Sequence, residues 1–348
     1  QRFDPPPSRC IHRRTRKMLK TTLIVAMACT AQAFAPSPVH GFVKPISARP
    51  MGLSSAPVLA RKPLTLTMSS TPAPAAPPQN FLPPPALYKA MANTGGVKAT
   101  MSWWKTLYMG ILAGVYIGFG SCLALSVGGA CQGLIAAGNL GMQKIIMGAF
   151  GLPFGLLMVT VGGAELFTGN TAALTAAYAE DKATVAQIAK NWFWSYLGNF
   201  IGSLLLVSIV FHSGALAAPS VATVKAMTVM KTGLSFNAAL LRGVLCNWLV
   251  CMGVWQAAGS TDIGSKALAI WFPISAFVAM GFEHSVANMF FLPMGILQGA
   301  EVSWKAFLLS NLLPVTLGNM IAGSLFVAGS YALMFGTPGE KVGKLLGK

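Results

Sequence analysis

His284 stands next to Glu283 where a long apolar run is interrupted, in Gly281-Phe282-Glu283-His284, and it is the one histidine well inside such a run. An ionisable side chain at membrane depth is costly, so function is its default reading; the alternative is a neutral imidazole hydrogen-bonded within a helix bundle. A second interruption, Gly162-Gly163-Ala164-Glu165, carries the other intramembrane carboxylate. Glu165 and Glu283 read either as functional groups or as clasps that accept backbone N–H bonds at a broken helix. Leu166, Phe167 and Thr168 follow the first break, two bulky apolar groups and a hydroxyl. That set suits an apolar gate with one polar contact, although packing is the commoner use of such side chains. Asn247 and Asn319 fall inside later apolar runs, where each donates to an anion or bridges two helices. Lys98 and Lys231 precede apolar runs, where they raise the local anion concentration at two vestibules or mark the membrane interface.

The elements that position these groups follow from hydropathy. Apolar runs cover about 104–127, 145–179, 191–212, 236–258, 267–298 and 307–335, after a short segment at 85–94. The second and fifth are too long for one span, and each contains one of the two breaks; Pro273 and Pro293 flank the later one. Gly163-x-Glu165 with Asn170 matches Gly281-x-Glu283 with Asn288, and Gly198-Asn199 matches Gly318-Asn319. Three spans per half, an odd number, places the two repeats in opposite orientation across the bilayer. Paired interrupted helices in inverted repeats point to a pathway at the midplane. The expected fold is therefore an all-α membrane protein, six transmembrane helices in two inverted three-helix repeats with broken second and fifth helices. Nine lysines (89, 98, 105, 182, 190, 266, 341, 344 and 348) flank one face, against Lys144, Lys225, Lys231, Lys305 and Arg242 on the other. That excess puts both termini on the positive-inside side.

Composition agrees. The chain has 348 residues, 54% hydrophobic and only 9% charged, with a mean hydropathy of +0.61, far from the roughly 25% charge of a soluble domain. The net charge of +17 is concentrated in residues 1–62, which hold 11 basic groups and Asp4 alone as an acid. No aromatic-basic groove for bases is visible, so nucleic acid is not an expected partner. The cysteines (10, 29, 122, 131, 246 and 251) form neither CxxC nor a Cys/His metal spacing. No phosphate-binding loop, Ser/His/Asp set, HExxH or aquaporin NPA box occurs, so neither an enzyme, a metal site nor a cofactor is expected.

The N-terminal part reads as an address. Residues 1–17 are expected to be upstream sequence. From Met18, Lys20 and the apolar run 23–29 lead to Ala31-Gln32-Ala33, a signal peptide over 18–33. Residues 34–68 are basic, Ser/Pro/Ala-rich and free of acids, as transit peptides are. The Ala33-Phe34 junction resembles the bipartite presequences of algal plastids bounded by extra membranes, in which an aromatic residue at that point directs the protein to the plastid. The alternative is an ordinary secretory signal and a membrane on the secretory route. A Pro/Ala-rich linker over 69–86 joins the address to a membrane domain at 87–336, and 337–348 form a basic tail.

The stretches 163–170 (GAELFTGN), 190–202 (KNWFWSYLGNFIG), 281–296 (GFEHSVANMFFLPMGI) and 311–323 (NLLPVTLGNMIAG) resemble the formate/nitrite transporter family over about 82–335. The resemblance implies an aquaporin-like fold, a homopentamer with one pore per subunit, and small monovalent anions such as formate and nitrite as substrates. It makes His284 the central pore histidine, flanked by Asn247 and Asn319, and Thr168 the polar group of the first broken loop. It implies constrictions lined by Leu152, Leu156, Leu166, Phe167 and Phe277, and vestibule lysines at Lys98 and Lys231. Leu152 stands where some relatives carry Phe, which implies a wider constriction. A bare anion in an apolar constriction is prohibitively costly, so it is expected to cross protonated, the proton coming from His284 or from water polarised by it. Together with the address, this points to nitrite import at the plastid envelope, with formate or another small monocarboxylate as the alternative cargo and a non-transporting scaffold as the alternative class.

Overall fold

Where no water reaches, each backbone polar group has to be satisfied within its own segment, so apolar runs become helices. The computed structural model describes residues 81–346, and within them every long apolar run is helical. The signal, the transit segment and most of the linker lie outside the described residues. Helix α1 (Pro84–Thr100) precedes the first span and opens on proline, whose missing N–H costs nothing at a helix start. The first span is α2 (Trp103–Ala124), prolonged by a π-helical turn at Leu125–Gly129. After the short α3 (Gln132–Ala136), the second span is made of α4 (Leu140–Ala149) and α5 (Leu152–Val161), followed by the half-helix α6 (Phe167–Ala179). The third span is α7 (Val185–Ser213), opened by a reciprocal cap between Thr184 and Gln187 and closed by left-handed Gly214.

The order then repeats. Helix α8 (Ala218–Thr232) takes the place of α1, and α9 (Phe236–Gly259) that of α2. Helix α10 (Ile263–Met280) ends at the second break, and the half-helix α11 (Ser285–Leu297) follows it. The sixth span runs from α12 (Trp304–Ala306) through α13 (Leu313–Ile321) to α14 (Ser330–Phe335), with π-helical stretches at Phe307–Leu312 and Ala322–Gly329. The tail forms α15 (Thr337–Leu345). Among the described residues, six helical segments are long and apolar enough to cross a membrane. The fold is thus all-α, two inverted three-span repeats whose second members are broken.

Three local features differ from the expectation. The pre-span segment is a full helix reaching Thr100, long enough to carry Lys98 inward. The linker's last residues are already structured: α1 starts at Pro84, and the Leu82 N–H donates to the Gly259 carbonyl at 3.0 Å. The second span has an unforeseen break at Phe150-Gly151, just before Pro153, which lacks an N–H for the helical ladder.

Two devices are repeated in the halves. Gly163 (φ +70°) and Gly281 (φ +73°) turn the chain at the breaks in the left-handed region that side chains disfavour. At the crossings of α2 with α7 and of α9 with α13, a Cβ on Gly198 would lie 2.5 Å from the Leu107 carbonyl oxygen, and one on Gly318 would press closer still on that of Leu240. Only glycine allows those backbones to meet.

Candidate functional site

The two half-helices begin facing a small apolar chamber. Leu166 lines it from the first break, His284 from the second, and Leu152, Leu156, Ile117, Val250, Ile274 and Phe277 complete the wall. The space holds about one water, a volume of about 10 Å³. Leu166 also lines a vestibule of about 220 Å³ on one side, which Lys98, Lys266 and Asn170 share. Leu152, Phe277 and His284 also line a larger vestibule of about 640 Å³, which Lys144, Lys231 and Glu283 share. The order along the path is therefore the Lys98 and Lys266 vestibule, Leu166, chamber, then Leu152 with Phe277 and His284, and the Lys144 and Lys231 vestibule.

His284 is the one polar side chain of the chamber wall and is 4% exposed. It caps α11: its Nδ1 accepts the Ala287 N–H at 3.0 Å. With a lone pair required on Nδ1, the neutral ring carries its proton on Nε2, which lies 3.0 Å from Thr168 Oγ1. Nε2 therefore donates to the threonine, whose own hydroxyl hydrogen finds no acceptor among the described residues. Phe277 stacks on the imidazole with centroids 5.8 Å apart and planes at 25°. The ring is thus held by a backbone donor, a hydroxyl and an aromatic face.

The carboxylates are clasped by side chains, not by the backbone N–H groups that a broken helix suggested. Glu165 Oε1 accepts Lys98 Nζ at 2.5 Å, and its Oε2 accepts the Asn170 and Asn191 amides at 2.8 and 3.1 Å. In the other half Glu283 Oε1 accepts Lys231 Nζ at 2.8 Å, and Oε2 accepts Asn288 and Asn311 at 2.7 and 3.1 Å. Asn191 and Asn311 each close the cluster on a lysine's own carbonyl, at 3.3 and 3.1 Å. Both glutamates are 1% exposed. A buried charge of this kind persists when it is paired and its remaining lone pairs are filled.

Asparagines hold the breaks themselves. Asn319 Oδ1 accepts the Ser285 N–H at 2.9 Å, while its amide donates to the Gly243 and Glu283 carbonyls. Asn199 does the same for the first break, accepting from Phe167 N at 2.9 Å and donating to the Gly110 and Glu165 carbonyls. Asn247 ties the halves together by donating to the Thr168 carbonyl, Thr171 Oγ1 and the Asn319 carbonyl, at 3.2, 3.1 and 2.6 Å. Its buried Oδ1 has no partner among the described residues.

Of the residues singled out from the sequence, His284, Leu152, Leu156, Leu166 and Phe277 meet at the chamber, and Thr168 reaches it through His284. Phe167 does not: its ring packs against Tyr196 and Trp192, with centroids 4.9 and 6.2 Å apart. The residue after an N-cap is rotated away from the face that the cap presents, and here that direction points into the α6–α7 contact. Asn319 spends its amide on backbone groups, and Lys98 and Lys231 are ion-paired rather than free. Asn191 and Asn311 were missed, although the spacing Asn191-x7-Asn199 recurs as Asn311-x7-Asn319 and could have revealed them. Ile117, Val250 and Ile274 carried no signal, because apolar residues on a span are everywhere.

The family model for "Formate/nitrite transporter" matches residues 85–333. A "Probable formate transporter" of Methanothermobacter thermautotrophicus is 39% identical over 269 residues, 72% of this chain and 96% of that protein. The "Formate channel FocA" of Escherichia coli K12 is 34% identical over 283 residues, 74% of this chain and 96% of the channel. Among solved structures, a "Pentameric formate channel with formate bound" aligns with a TM-score of 0.61 at 29% identity, covering 67% of this chain and 97% of that one. Such neighbours carry the aquaporin-like arrangement, and the relatives are transporters and channels rather than enzymes. The chain is a multi-pass membrane protein and belongs to the formate/nitrite transporter family.

Proposed function

We propose that this protein carries small monovalent oxyanions together with protons across a plastid envelope membrane as a homopentamer, with nitrite as its cargo and formate handled by the same path. The observation that carries the reading is a single imidazole, hydrogen-bonded to Thr168, in a chamber otherwise walled by apolar side chains. A bare anion pays an enclosed apolar passage of this size in desolvation that no residue of the wall returns. As a neutral acid the same molecule crosses at far smaller cost. His284 and the Thr168 hydroxyl form the polar contact at which the proton is passed on, directly or through a water in the chamber.

Formate and nitrite are both bent O–X–O monoanions, and a wall of leucine, isoleucine and phenylalanine distinguishes them weakly. The names of the relatives favour formate; the N-terminal address favours nitrite. The homopentamer is supported by the likeness to a solved formate channel that is itself pentameric.

Labelled nitrite and formate uptake into proteoliposomes, recorded with internal pH, tests the reading. Saturable uptake of both anions with one-to-one internal acidification is expected. Uptake of neither makes the protein a scaffold with a transporter fold, and uptake without proton movement removes the protonation step. For the address, residues 18–68 fused to a reporter should reach the plastid, and Phe34→Ala should divert it to the secretory route. Unchanged delivery of the variant would remove the plastid reading.

A further inference from the structure

We propose that the charge drawing an anion into each vestibule is carried by Lys144 on one side and Lys266 on the other, not by the lysines at the repeat-equivalent positions 98 and 231. The inference rests on the transport reading above and assigns the residues that feed the path. Lys231 and Glu283 both line the larger vestibule and sit 2.8 Å apart. Lys98 lines the smaller one and sits 2.5 Å from Glu165. Each pair sums to zero, and a neutral pair attracts a distant anion far less than a single charge does.

Lys144 lines the larger vestibule without a carboxylate within ion-pairing distance and without a hydrogen-bond partner among the described residues. Lys266 lines the smaller vestibule and donates to the Ala257 carbonyl at 2.7 Å, a contact that fixes the ammonium but leaves its charge uncompensated. The nearest acid in sequence, Asp262, accepts the Ser265 N–H at 2.9 Å and is not part of the vestibule wall. Lys225 and Arg242 line neither vestibule.

The placement has an internal check. Lys144 lies in the early turns of α4, which opens the second span, and Lys266 in the first turn of α10, which opens the fifth. These are matching members of the inverted repeats, so their openings face opposite vestibules. Each repeat thus contributes two lysines of different kind, one neutralised in a clasp and one left as a net charge.

The local potential can be read without transport. In a chain in which every cysteine except buried Cys246 and Cys251 is serine, a reporter cysteine is placed by Ala226→Cys in the larger vestibule or by Ala258→Cys in the smaller. The rates of modification by an anionic and a cationic thiol reagent of equal size are then compared. Lys144→Gln should lower the anionic-to-cationic rate ratio at position 226 by about three- to tenfold at low salt, since one charge acts oppositely on the two reagents. It should leave position 258 unchanged; Lys266→Gln should do the converse. Both effects should vanish near 1 M salt, and Lys144→Arg should restore the ratio. Ratios unaffected by either Gln variant, or altered equally at both positions, would overturn the proposal.

Uptake assays on the same proteins keep the two ideas apart. Lys144→Gln should raise the apparent KM at low salt and leave the maximal rate unchanged. If the parent protein moves no anion, the transport reading fails while the labelling ratios still decide where the charge lies. If it transports normally and both variants match it in ratio and KM, the lysine assignment fails alone.

Discussion

Leu166 and His284 occupy the same station in the two halves of the molecule. Each is the extended residue just before a half-helix, with φ/ψ of −89°/117° and −110°/116°, and both face one chamber. The backbone there is a symmetric device, and the chemistry enters by breaking the symmetry: one repeat supplies a hydrocarbon and the other an imidazole. Thr168, the partner of His284, is likewise matched by Val286 in the second half.

His284→Asn should fold and assemble, because asparagine is among the best helix N-caps and replaces the bond to Ala287 N. It cannot titrate, so nitrite- or formate-driven proton flux should fall by at least about tenfold, a loss of roughly 1.4 kcal/mol in barrier terms. Flux and pH dependence like the parent protein's would reduce His284 to a cap.

Lys98→Met leaves Glu165 buried without its cation. Stability should drop by about 3 kcal/mol, as when one partner of a buried pair is removed. The loss should be the same at low and high salt, and Lys98→Met with Glu165→Gln should recover part of it. Thermal unfolding in detergent reads this out; a loss that shrinks at high salt would show that the pair is screened by solvent rather than buried.

Gly318→Ala drives a methyl into the Leu240 carbonyl oxygen, well inside van der Waals contact. Because the obstacle is backbone, α9 and α13 have to separate, and the Asn319 brace one residue on goes with them. The variant should migrate as dissociated or aggregated material on size-exclusion chromatography. Normal assembly would show that the crossing can yield.

Glu180, in the loop after α6, ties the tail down. Its carboxylate accepts the Tyr88 hydroxyl at 2.7 Å and the Thr337 N–H and hydroxyl at 2.9 and 2.7 Å. Burial acts to raise its pKa, but the bonds from Thr337 and Tyr88, with help from Lys182, outweigh it and bring the pKa below the usual glutamate value. A depressed carboxylate stabilises the folded state above its unfolded pKa, about 4.3, and that stabilisation is lost as pH falls through the folded value. The protection of α15 amides against hydrogen exchange, relative to the intrinsic rate at each pH, should therefore fall below about pH 4 and change little between about pH 5 and 8. Glu180→Gln should abolish the acid step; a tail equally protected at about pH 3 would show that the latch is not Glu180.

The sequence by itself determined the spans, the two breaks, their pairing as inverted repeats and the position of the central histidine. These are legible because hydropathy, the glycine turns and the Gly-x-Glu and Gly-Asn repeats act locally along the chain. It did not determine which charges are free. Lys98, Lys144, Lys231 and Lys266 look alike in a string of letters, and only the folded distances to Glu165 and Glu283 separate the paired from the unpaired. The same holds for Phe167 and Leu166, adjacent in sequence: the half-helix rotates one into the chamber and the other against Tyr196. Charge pairing and pore lining are relations between residues far apart in the chain, 116 positions for Thr168 and His284. They are decided by which faces the helices turn to one another, so the tertiary structure had to decide them.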